Sequence, residues 1–174
     1  RQRQMCIRDS YIESNNLKCK AIMLTHGHFD HVGAVNAVAE QTGCPVYINK
    51  RDEGYKVGMS GMMFKLPEGG KYYDDGDVIT EAGLEFKVIA TPGHTPGGVS
   101  LICENALFTG DTLFRGSCGR TDLPGGDTET ELRSVKKLCM LPGDYEVYPG
   151  HMDSSTLERE RRFNHYCREA MANF

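Results

Sequence analysis

The chain has 174 residues, enough for one compact domain with a real core and too few for two ordinary ones. Hydrophobic residues make up 39% and charged residues 25%, with a formal net charge of −4, a soluble globular balance without the basic surface that nucleic acid requires. No apolar run approaches the ~20 residues of a membrane helix, and no segment has the order of a secretory signal, so neither a membrane nor a nucleic acid is an expected partner.

Residues 1–10 (RQRQMCIRDS) are polar and without period. MCIRDS is what one reading frame of a common sequencing adapter encodes, so residues 1–10 are expected to be a non-native tail and residues 11–174 the domain. YIESNNLK (residues 11–18) reads as the last turns of a helix, and AIMLT (21–25) as a short buried strand before a loop. Residues 31–42 place Val32, Val35, Val38 and Ala39 on one helical face; Gly43 stops that helix and Pro45 lies just beyond. PVYIN (45–49) is the next strand, and residues 51–65 are expected to form a helix and a covering loop.

Asp74, Asp75 and Gly76 mark a turn. LEFKVIA (84–90) is a strand; VSLIC (99–103) and ALFTG (106–110) form a hairpin across Glu104 and Asn105. Residues 128–141 predict a helix with Thr128 and Glu131 as a capping box and an apolar stripe of Leu132, Val135 and Cys139. EVYP (146–149) is a strand, and residues 155–172 a charged closing helix. Strands and helices in this order imply a layered α/β or α+β domain.

The seven cysteines (Cys6, Cys19, Cys44, Cys103, Cys118, Cys139 and Cys167) are odd in number, widely spaced and without a CxxC pair. That pattern fits reduced thiols of a cytoplasmic protein better than a disulfide framework.

Five of the six histidines sit in Gly-, Pro- or Asp-rich turns that follow strands; His165 does not. Thr25-His26-Gly27-His28-Phe29-Asp30-His31 offers four ligand-type side chains in one loop. Alternate positions, His26 and His28, can turn to one ion, while Asp30 and His31, opening the next helix, can turn to a second. His94 lies on the rigid turn TPGHTPGG, Asp111 follows ALFTG, and His151 follows EVYP in PGH. Imidazole and carboxylate are suited to zinc, iron or manganese. Seven donors exceed what one tetrahedral zinc uses and suit two divalent ions sharing a carboxylate, a centre that activates water against an ester, thioester, amide or phosphoester.

The series THGHFDH, PGH, GDT, PGH resembles the ligand series of the metallo-β-lactamase superfamily. The resemblance implies a four-layer αββα sandwich, a first ion on His26, His28 and His94, a second on Asp30, His31 and His151, and Asp111 as the bridge. Asp30 and Asp111 are then the catalytic carboxylates. GDTLFRGSCGRTDLPGGD (residues 110–127) and YPGHMDSSTLERERRFN (148–164) are similar to single-domain hydrolases related to glyoxalase II. The implied reaction is hydrolysis of a small-molecule thioester of the S-acylglutathione kind, with two zinc ions and with iron or manganese as alternatives. The family's opening strands are expected to be missing, and a dedicated glutathione pocket of the kind its helical domain provides is not expected.

An iron-dependent persulfide dioxygenase is the enzymatic alternative, and a truncated, inactive metal-binding module is the other. Outside the ligand set, Arg120 and Asp122 can form an ion pair that braces the metal loop, Arg115 can meet an anion, and Cys118 is an inert small residue rather than a redox thiol. Met59, Met62, Met63 and Phe64 are expected to be core or cover, Tyr72 and Tyr73 packing, and His165 surface.

Overall fold

The structure is a computed structural model that describes residues 11–12, 14–54 and 64–174. The tail expected at residues 1–10, and Met59, Met62 and Met63, lie outside the described residues.

The chain lays down two main sheets. Strands β1 (Ile22–Met23), β2 (Val46–Ile48) and β3 (Lys71–Tyr72) form a small parallel sheet in that order. Strands β4 (Val78–Glu81), β5 (Leu84–Ala90), β6 (Val99–Cys103), β7 (Ala106–Gly110), β10 (Glu146–Pro149) and β11 (Ser155–Thr156) form a larger one, ordered β11-β10-β7-β6-β5-β4. Its β7–β10 pair is parallel and the rest are antiparallel. A two-strand ribbon, β8 (Leu113–Phe114) and β9 (Ser117–Cys118), follows β7.

Three cores fix the layering. On the outer side of the small sheet, helix α2 (Val35–Thr42) packs Val35 and Ala39 onto Leu24, Val46, Ile48 and Phe64. Between the sheets lie Tyr47, Tyr73, Val88, Val99 and Leu101. On the far side of the large sheet, Ile89, Leu107 and Val147 meet Leu132, Val135 and Leu138 of helix α3 (Thr128–Cys139), Leu157 of α4 (Leu157–Phe163) and Ala170 of α5 (His165–Asn173). Side chains of a strand alternate between faces, so neighbours Val88 and Ile89 serve different cores. The result is the expected helix–sheet–sheet–helix sandwich. Beyond Leu101 the inter-sheet face of the large sheet opens: its partner Phe108 stacks on Tyr148 at 5.5 Å and both rings remain exposed.

Four local expectations are corrected. The helix expected over residues 31–42 is two pieces, α1 (Phe29–Val32) and α2, with Gly43 closing α2 in the left-handed region at φ 67°. The side-chain cap of α3 is Asp127, which accepts the Thr130 N–H, rather than Thr128; Glu131 turns inward instead of closing a capping box. The closing helix breaks at Asn164, whose extended backbone separates α4 from α5 while its amide donates to the Phe114 and Ser117 carbonyls. Those buried contacts outweigh one more turn of helix. In the segment 51–65, expected as a helix and a covering loop, the described residues open with a 3-10 turn (Lys50–Asp52), and residues 55–63 lie outside the described residues. No helix among the described residues is long and apolar enough to cross a membrane.

Candidate metal centre

Every histidine of the expected set leaves the sheets where a strand ends. β1 runs into Thr25–His28, and α1 then projects Asp30 and His31 from its first turns. Gly27 is required here, because a Cβ would stand 2.4 Å from the Asp52 carbonyl oxygen. The β5–β6 connection is a tight loop closed by the Thr91 N–H on the Gly98 carbonyl at 2.8 Å, with His94 at its tip. Asp111 follows Gly110 at the end of β7. A register shift in the β7–β10 pairing brings Pro149 opposite Gly110, and the Gly150 N–H then bonds the Gly110 carbonyl at 2.8 Å. That bulge brings His151 beside Asp111.

The seven donors converge. Three groups each have their ligand atoms within 4.8 Å of one another: His26, His28 and His94; His26, His31 and Asp111; Asp30, His31 and His151. Asp111 Oδ2 lies 3.4 Å from His94 Nε2 and 3.4 Å from His151 Nε2, and Asp111 Oδ1 lies 3.4 Å from His31 Nε2. His151 Nε2 is 3.4 Å from His31 Nε2 and 3.2 Å from Asp30 Oδ2. Donors around a tetrahedral ion with bonds of about 2.0–2.2 Å lie about 3.3–3.6 Å apart, so these edges fit. The His94 Nε2–His28 Nδ1 pair, at 2.8 Å, is tighter.

The environment also suits a cation. His26 Nε2 and Asp111 Oδ1 are buried with no hydrogen-bond partner among the described residues, a costly state unless something else occupies the space between them. Burial, with neighbouring histidines adding to it, pushes the His26 pKa well below the ordinary imidazole value and that of His28 down to about 4; burial lowers that of His31 too. All three rings are therefore neutral near pH 7, the form that binds a metal. His94 Nδ1 must donate to the Arg120 carbonyl at 2.7 Å, which leaves the lone pair on Nε2, toward the site. Burial raises the Asp111 carboxyl pKa.

The two halves differ in access. His26, His28, His94 and Asp111 are buried, whereas Asp30 and His151 are exposed. Among the described residues, the Asp30–His151 side is the more open one.

Two supporting carboxylates escaped the sequence reading. Asp52 is fully buried and accepts the Gly27 N–H at 2.9 Å, the Thr95 hydroxyl at 2.8 Å and the Gly97 N–H at 2.6 Å. Glu131, also buried, accepts the His94 N–H at 2.8 Å, and burial raises its pKa to about 9. Asp52 sits in a Lys/Arg/Asp/Glu run that looks like solvated surface; only its place just after an apolar strand hints otherwise.

Of the other singled-out residues, Arg120 and Asp122 form a two-pronged ion pair at 2.7 Å, and the brace to His94 runs through the Arg120 carbonyl. Arg115 pairs with Asp153 at 3.4 Å on the surface. Burial pushes the Cys118 thiol up to about 12, far from a reactive thiolate. Phe64 and Tyr73 are core, Tyr72 is exposed, and His165 is a surface side chain.

Fold and site together define a metallo-hydrolase: the chain belongs to the metallo-β-lactamase superfamily, whose family model matches residues 2–151. Among its relatives, an uncharacterized protein of Aquifex aeolicus is 40% identical over 90% of this chain and 79% of its own length. The hydroxyacylglutathione hydrolase GloC of Haemophilus influenzae is 34% identical over 88% of this chain and 78% of its own. Of the solved structures, the BLEG-1 B3 metallo-β-lactamase superposes with a TM-score of 0.83 at 33% identity, over 92% of this chain and 83% of that one. TTHA1623, in a di-iron-bound form, superposes at 0.78 with 36% identity, over 90% and 82%.

Proposed function

We propose that this chain hydrolyses small thioesters of the S-acylglutathione class in the cytoplasm, using two divalent ions, zinc in the first instance. His26, His28 and His94 would hold one ion, Asp30, His31 and His151 the other, and Asp111 would serve both. The observation that carries this reading is the position of Asp111 Oδ2, equidistant at 3.4 Å from His94 Nε2 in one group and His151 Nε2 in the other. Two such ions lower the pKa of water and polarise a carbonyl oxygen.

The chain's own residues do the rest. His94, whose Nδ1 donates to the Arg120 carbonyl, keeps its Nε2 aimed inward. Asp30, at the open rim with Oδ2 3.2 Å from His151 Nε2, would use its other carboxylate oxygen to take the proton released when water adds to the thioester carbon and to pass it to the leaving sulfur. The C–S bond then breaks, and the thiol leaves with a proton as the acid forms. The likeness to hydroxyacylglutathione hydrolase GloC supports the thioester class, and the six described cysteines, all free, suit a reducing compartment. The di-iron-bound relative makes iron the second candidate metal.

The test is metal analysis of the purified protein followed by a panel of S-acylglutathione, lactone and β-lactam substrates. The reading expects two ions per chain and a preference for the thioester. A protein that carries two ions and leaves the thioester intact while opening a lactone or lactam overturns it.

A further inference from the structure

We propose that Asp52 is a positioning residue that sets the separation of His28 and His94 by clasping the two loops that carry them. The proposal rests on the dinuclear reading above and adds a residue that touches neither ring. Asp52 Oδ2 accepts from Gly27 N, between His26 and His28, and from Thr95 Oγ1, directly after His94; Oδ1 accepts from Gly97 N. One carboxylate thus joins the β1 loop to the β5–β6 loop across 25 and 45 positions of chain.

The contact is built for an acceptor with no proton. Three donors converge on two oxygens, and a carboxylate is acceptor-only. The loops come so close that a Cβ at Gly27 would meet the Asp52 carbonyl oxygen at 2.4 Å, and one at Gly97 would meet Asp52 Oδ1 at 2.6 Å. Asp52 itself is anchored: it ends the 3-10 turn Lys50–Asp52, capped by Asn49 accepting the Arg51 N–H, and the Asn49 amide donates to Tyr73 O and Asp74 Oδ1. The clasp is therefore fixed to β2 and β3 and transmits their position to the histidines.

Asp52→Asn is nearly isosteric, but its amide nitrogen must face either Gly97 N or the Gly27/Thr95 pair, so at least one link becomes donor against donor. The experiment titrates cobalt(II) into metal-free wild type, Asp52→Asn and Thr95→Val, following visible absorption, with metal content and metal-free Tm measured alongside. Wild type is expected to take up two ions. In Asp52→Asn, uptake of the ion held by His26, His28 and His94 should weaken by about 10–100-fold, as for other supporting-residue changes, with an altered cobalt spectrum and the second ion retained. Thr95→Val should weaken the same step by less.

A purely structural role would lower the metal-free Tm and leave affinity and spectrum unmoved. Two ions bound with wild-type affinity and spectrum in Asp52→Asn overturn the proposal, whatever its Tm. Should that variant fail to fold, unchanged cobalt affinity and spectrum in Thr95→Val overturn it instead. Wild type that takes up no ion overturns the dinuclear reading and the clasp with it, whereas failure of the variants alone to differ from a two-ion wild type removes only Asp52.

Discussion

Glu131 reaches from the first turn of α3 to accept the backbone N–H of His94 at 2.8 Å, across 37 positions of sequence. The loop carrying His94 is pressed onto the same residue: Gly93 holds φ 138°, and a Cβ there would meet the Glu131 Cα at 2.3 Å. Gly93→Ala is expected to lose about 1–3 kcal/mol to backbone strain alone, and more to the clash. Glu131→Ala leaves a buried N–H without its acceptor, at about 1–3 kcal/mol. Urea unfolding of both variants checks this; a Gly93→Ala protein as stable as wild type would contradict the geometry.

Asp111→Ala should abolish hydrolysis and metal retention together, because both groups of histidines face its carboxylate. His165→Ala should change neither, since that ring stands on the surface beside Glu169. Activity assays and metal analysis of the two proteins side by side decide the matter, and equal losses in both would mean the ligand set is wrong.

Gly150→Ala probes the same carboxylate without removing it. A methyl group there would stand 2.3 Å from Asp111 Oδ1 and 2.7 Å from His31 Cε1. The expected outcome is weaker metal retention with a folded core, read by chelator competition and circular dichroism.

Stripping the metal should lower the melting temperature. A ligand that binds only the folded state adds about 2.7 kcal/mol when present at a hundred times its dissociation constant. Scanning calorimetry with and without chelator measures the difference, and superimposed transitions would argue that nothing is bound between the histidines.

Glu160 governs an acid-labile contact outside the ligand set. Burial would raise its pKa, but hydrogen bonds from Ser155, the Gly116 N–H, Asn164 and Arg159 outweigh burial and hold it below the usual glutamate value. A carboxylate with a depressed folded-state pKa contributes stability above its unfolded pKa, about 4.3, and loses it as pH falls through the folded value. Glu160→Gln should therefore cost about 1–3 kcal/mol at neutral pH. The gap to wild type should close as the medium is acidified below about pH 4. Denaturation curves across that window test the sign.

Much of this was legible in the chain, for a local reason. The strands Leu84–Ala90, Val99–Cys103, Ala106–Gly110 and Glu146–Pro149 fall where apolar runs and turn residues placed them, because strand boundaries here coincide with glycine, proline and polar punctuation. The seven donors stood out because each follows such a strand.

What escaped depends on partners distant in sequence. Glu131 obeys a capping-box spacing with Thr128, yet its acceptor is taken by His94. Asn164 sits in a sequence with helical composition, and the carbonyls of Phe114 and Ser117 break it. Asp52 belongs to a charged run whose inward turn becomes visible only when Gly27 and Gly97 are beside it.

The donors are also strung along the chain in an unequal order. His26, His28 and His94 come early, while the other cluster waits for His151 just past β10, a strand that follows α3 in the chain and pairs with β7. A polypeptide emerging from the ribosome N-terminus first thus presents one complete triad of imidazoles before the other can exist. The half bearing Asp30 thus depends on the late β7–β10 pairing, whereas His26, His28 and His94 all lie on loops that precede it in the chain.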